Sequence, residues 1–153
     1  MFDLLIYMFE NYLSSKNNLD FANMTLELEA AGFNNKDIET ALDWFSELKE
    51  MSTKIPESHS LKINDKLRIF TEKEKEKISF DSLGFILFLE QAKILNSIER
   101  EIIIDRAMAL NQNIINIEEV RWIVMMTLWT NDKENDYLFV EDALYQTQQS
   151  ILH

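Results

Sequence analysis

Apolar residues recur at helical spacing through most of the chain. Phe2, Leu5, Ile6, Phe9, Tyr12 and Leu13 line one face, with Asp3 in the first turn where the helix dipole favours an acid, so a first helix is predicted to run to about Leu13. Ser14 to Asn18 is a polar break, and Met24, Leu28 and Ala31 mark a second, shorter amphipathic helix. Gly32 is placed to end it as a left-handed cap. Asn34 or Asn35 then caps a third helix whose buried stripe is Ile38, Ala41, Leu42, Phe45 and Leu48. Two helices joined by Gly32-Phe33-Asn34-Asn35 read as a helix-turn-helix hairpin.

The period then changes. Leu61 and Ile63, and after them Leu67 and Ile69, alternate with polar residues on either side of Asn64-Asp65-Lys66, which predicts a small β-hairpin. The preceding Thr53 to Ser60 contains the only proline, Pro56, and is the natural linker. Thr71-Glu72-Lys73-Glu74 has the form of a capping box and opens a charged helix whose lysines and glutamates read as a solvated face.

From there the pattern is helical again. In Leu83-Gly84-Phe85-Ile86-Leu87-Phe88-Leu89, six of seven residues are large and apolar, so the helix is hydrophobic all round and is expected to be enclosed by others as a central core helix. Ser79 or Asp81 caps it, and it ends near Leu95. Asn96-Ser97 opens another helix, with Ile98, Ile102, Ile103, Ala107 and Leu110 facing inward. After a loop from Asn111 to Asn116, the pair Asn116 and Glu119 starts a helix that continues to about Thr130. Asn131 to Asp136 leads to a last helix from Tyr137 to about Ser150.

The helix from Ile117 to Thr130 has two apolar faces. Val120, Ile123, Val124 and Leu128 lie on one, while Trp122, Met125, Met126 and Trp129 follow the i, i+3, i+4, i+7 rule on the other. A helix sandwiched in a bundle explains both faces. The functional alternative is that the second face lines a groove for a partner helix, because Met repacks easily and Trp is enriched in binding hot spots.

Composition narrows the chemistry. At 153 residues with 46% apolar content, the chain is one domain's length and folds by burying roughly 70% of its extended surface. With no cysteine, neither a disulfide framework nor a thiolate zinc site is available, which fits a reducing cytoplasm. The longest apolar run, Trp122 to Trp129, is broken by Thr127 and is far short of the roughly 20 residues that span a bilayer. Met1-Phe2-Asp3-Leu4 has an acid where a secretory signal carries a base. The expected protein is cytoplasmic, with no membrane partner.

The only histidines are His59 and His153, so no Ser-His-Asp arrangement and no two-histidine metal site at helix spacing is suggested. The only glycines are Gly32 and Gly84, which excludes a Gly-rich phosphate cradle. Glu99, Glu101 and Asp105, and Glu118 and Glu119, lack Ca2+-loop spacing or a Glu-x-x-His pair and read as surface and capping charges. No enzyme is expected, hence no catalytic residue, no metal and no cofactor.

The net charge of −12 is uneven. Residues 1–50 hold ten acids and three bases, 51–80 hold five and seven, and 81–153 hold twelve and five. Such a field repels phosphate backbones and favours basic or neutral partners. Three helices and a hairpin in this order are similar to a winged helix, in which the third helix usually enters the DNA major groove. Here that helix carries Asp37, Glu39, Asp43, Glu47 and Glu50 against Lys36 and Lys49, the wrong sign for phosphates. Lys62, Lys66 and Arg68 in the hairpin are the better candidates for a phosphate contact, or else are charges protecting a sheet edge.

Longer strings carry a family resemblance. Met1-Phe2-Asp3 with Leu5, Tyr7, Phe9 and Glu10, then Ala31-Gly32-Phe33, Asp37-Ile38, Ala41-Leu42 and Trp44, resemble the bacterial Smg protein family. The likeness continues through Arg68-Ile69-Phe70-Thr71, Gly84 to Gln91, Arg100-Glu101, Arg106, Ala109-Leu110, Trp122 and Leu152-His153. The resemblance implies a cytoplasmic protein of no assigned activity, with no catalytic or ligand residues to carry over. It also implies a genomic setting near a DNA-processing protein, which hints at nucleic-acid metabolism.

Together these readings predict a mainly α protein. A winged-helix-like N-terminal half (residues 1–71, three helices plus a small β-hairpin) is expected to pack on a C-terminal helical bundle (residues 72–153). The expected function is that of a non-enzymatic protein-interaction or regulatory protein holding an unknown protein partner through the acidic hairpin helices and the face of Trp122, Met125, Met126 and Trp129. The alternative is a winged-helix nucleic-acid-binding protein that contacts phosphates through Lys62, Lys66 and Arg68, which the net charge disfavours.

Overall fold

A computed structural model describes residues 2–13, 21–53 and 69–130. α1 spans Phe2–Met8 and widens into a π-helical turn at Phe9–Leu13; α2 is Phe21–Ala30, α3 Asn35–Thr53, α4 Glu72–Lys77, α5 Phe80–Gln91, α6 Ser97–Met108 and α7 Ile117–Thr130. The predicted polar break at Ser14 to Asn18, the greater part of the Thr53 to Ser60 linker and the helix from Tyr137 to Ser150 lie outside the described residues.

The helix ends follow from local chemistry. Gly32 takes φ 97°, the left-handed conformation that ends α2 with its amide on Glu29 O at 3.0 Å. The Asn34 side chain accepts from Lys36 N at 2.9 Å at the start of α3. Thr71 and Glu74 form a complete capping box on α4, and Asn96 and Glu99 another on α6. Glu119 N donates to the Asn116 side chain at 3.0 Å at the start of α7. Each such cap is worth about 1 kcal/mol.

The apolar stripes meet in one cluster running from Phe2 in α1 to Leu128 in α7. Ile38, Ala41, Phe45 and Leu48 of α3 are fully buried in it, and α3 packs on α1, α2, α6 and α7. Phe9 meets both Trp122 and Trp129 edge-on, with centroids 6.2 and 6.0 Å apart, and Phe45 lies 6.3 Å from Trp129. Such aromatic pairs contribute about 0.5–1.5 kcal/mol each beyond area burial.

α3 and α6 are locked reciprocally. Trp44 Nε1 donates to Arg106 O at 3.0 Å, and Arg106 donates from its guanidinium to Trp44 O at 3.2 Å. The buried Arg106 also pairs with Glu47 and Asp105, each at 2.8 Å, and lies 5.7 Å from the Trp44 ring centroid. Behind it, Lys77 Nζ donates to Met108 O at 2.7 Å and to Leu110 O, filling carbonyls that the end of α6 leaves open.

Two expectations are corrected. The chain is mainly α, but it is not winged-helix-like. Among the described residues there is no strand and no sheet, and the only ladder-type pairing is a single parallel bridge between Ile78 and Ile115. Residues 61–68 of the expected hairpin lie outside the described residues, while Ile69, its last apolar position, is irregular and 82% exposed. Four alternating apolar residues are too short a run to tell a strand from an irregular connection. The apolar face of α3, which a sheet would cover in a winged helix, is covered by α6 and α7.

The second correction concerns α5. It is not enclosed: Phe80 is 90% and Phe88 54% exposed. α6 and α7, packed on each other and on both α3 and α5, hold the central place instead.

Candidate functional site

α5 is fixed at both ends. Ser79 caps its N-terminus by accepting from Ser82 N at 3.2 Å, and the buried Ser82 hydroxyl donates to Ile115 O at 3.2 Å. At the other end Glu90 accepts from the Arg100 guanidinium of α6 at 2.5 Å. Burial works against the Arg100 charge, but the hydrogen bonds and charges of Glu90 and Glu101 outweigh it and hold the guanidinium above its ordinary value. Leu83, Ile86 and Leu89 are buried on the inner face.

The opposite face carries Phe80, Gly84 and Phe88, spaced i, i+4, i+8 and all exposed. Residues at that spacing share one side of a helix, so the two rings flank a glycine notch. A Cβ added at Gly84 meets nothing within 4 Å. Burying a fully exposed phenylalanine is worth about 1.5–3 kcal/mol, and Phe80 and Phe88 are, at 90% and 54%, two of the exposed large apolar residues among the described residues, so this face stands to gain from a partner.

The residues singled out in the sequence fall elsewhere. Met125 and Met126 are sealed in the core, at 1% and 0% exposure, and Trp122 and Trp129 are half-buried against Phe9 of α1. Arg121 lies 5.0 Å from the Trp122 ring centroid and pairs with Glu118 at 3.1 Å. Lys62, Lys66, Arg68, His59 and His153 lie outside the described residues. Glu101 and Asp105 pair with Arg100 and Arg106, and Glu99 closes the α6 capping box. Among the described residues no group of three or more His, Cys, Asp or Glu is placed to hold a metal ion, and no helix is long and apolar enough to cross a membrane.

Among the described residues Glu119 is an electrostatically perturbed carboxylate. Burial, and then the charge of Asp3 on α1, push Glu119 above the usual carboxylate range. A carboxyl with a raised folded-state value contributes stability below its unfolded value and loses it as pH rises through the folded one. Glu119→Gln is therefore expected to melt above the wild type at pH 7 and level with it below about pH 3.5, where both side chains are neutral. Paired thermal melts check this; a lower melting temperature at pH 7 would mean that the charge serves the α7 dipole more than it suffers from Asp3.

The outward Phe80-Gly84-Phe88 line went unread in the sequence because apolar residues on every side of α5 suggested enclosure. The available signal was the glycine, the smallest residue in an otherwise bulky helix, placed evenly between two phenylalanines.

A family model described as a protein of unknown function (DUF494) matches residues 1–153. The chain belongs to this family. It is 50% identical over 153 residues, the whole of both chains, to the Smg homolog of Methylobacillus flagellatus. It is 39% identical over 157 residues, again the whole of both, to the Smg protein of Buchnera aphidicola subsp. Acyrthosiphon pisum. To the Smg homolog of Nitrosomonas europaea it is 40% identical over 143 residues, 92% of each chain. The likeness to bacterial Smg proteins read from the sequence is thus shown over the full chain. No solved structure matches.

Proposed function

We propose that this family member is a non-enzymatic interaction protein that presents the outer face of α5 to another protein chain. The observation that supports it is the exposure of Phe80 and Phe88 on one line of a helix clamped at both ends. Apolar patches of this kind on an otherwise charged surface mark binding sites, and aromatic anchors carry much of the energy where chains meet. The acidic charge of the chain directs the choice toward basic or neutral partners and away from nucleic-acid backbones.

The test is a Phe80→Ser/Phe88→Ser double variant. Its thermal melt is expected to match the wild type, because neither ring is a core side chain. In affinity capture from native cells after nuclease treatment, a protein held stoichiometrically by the wild type is expected to be lost from the double variant. It should persist with Leu26→Ser, which removes an exposed apolar residue of α2. A partner captured equally by all three proteins would rule out the α5 face.

A further inference from the structure

We draw no further inference here: the strongest candidate, the apolar line of Phe80, Gly84 and Phe88 on the outer face of α5, belongs to the surface already described, and nothing in the structure shows what covers it.

Discussion

Replacing Met126 by Asp is expected to abolish cooperative folding. Met126 is fully buried in the shared core, where a carboxylate would lose its water. Truncating a buried methionine costs about 2–5 kcal/mol, and burying an unpaired charge adds several more. The sum is comparable to the whole stability of a domain, about 5–15 kcal/mol. Met126→Leu keeps volume and polarity and should cost less than about 1.5 kcal/mol. Thermal unfolding by circular dichroism separates the two. An Asp variant that melts cooperatively and loses only a bound partner would instead make the Trp122 and Met126 face a groove.

Arg106→Ala is expected to be a strongly damaging polar substitution. Glu47 and Asp105 are 58% and 51% exposed, so water replaces the lost cation for them at little cost. The penalty comes from the lost charged hydrogen bond to Trp44 O, a carbonyl that keeps its helical partner within α3, at about 1.5–3 kcal/mol, and from the lost contact with the indole face, at about 0.5–2 kcal/mol. A total of about 2–5 kcal/mol corresponds to a fall in melting temperature of roughly 4–20 °C for a chain of this size. Arg106→Lys should recover less than half, because an ammonium cannot serve Trp44 O and both carboxylates in one plane. Urea unfolding checks both variants, and a lysine variant as stable as wild type would show that charge alone suffices.

Features decided within a few residues were legible in the sequence. Thr71 with Glu74, Asn96 with Glu99 and Asn116 with Glu119 cap where expected, Gly32 turns left-handed, and Ile38, Ala41, Phe45 and Leu48 are buried together. These depend on backbone groups within one turn, or on a stripe several turns long. The failures needed tertiary information. Leu83 to Leu89 offers apolar residues in every direction, and nothing in the sequence says which of them α6 and α7 will cover. The alternation ending at Ile69 offers four apolar positions, too few to tell a strand from an irregular connection. The Trp44–Arg106 lock joins residues far apart in the chain and leaves no local mark. The family resemblance was legible in strings spread along nearly the whole chain, such as Gly84 to Gln91, and the family model matches residues 1–153.

The Ile78–Ile115 bridge reaches beyond its two residues. Ser79 N donates to Ile115 O at 3.0 Å and Ile115 N to Lys77 O at 2.7 Å, so the segment before α5 is tied to the segment before α7. In chain order, α5 and α6 lie inside the ring this tie closes. The amide protons of Ser79 and Ile115 exchange with solvent only when that ring opens. Their exchange rates, set against those of α3, tell whether the segment bearing the exposed phenylalanines opens by itself or only when the whole molecule unfolds.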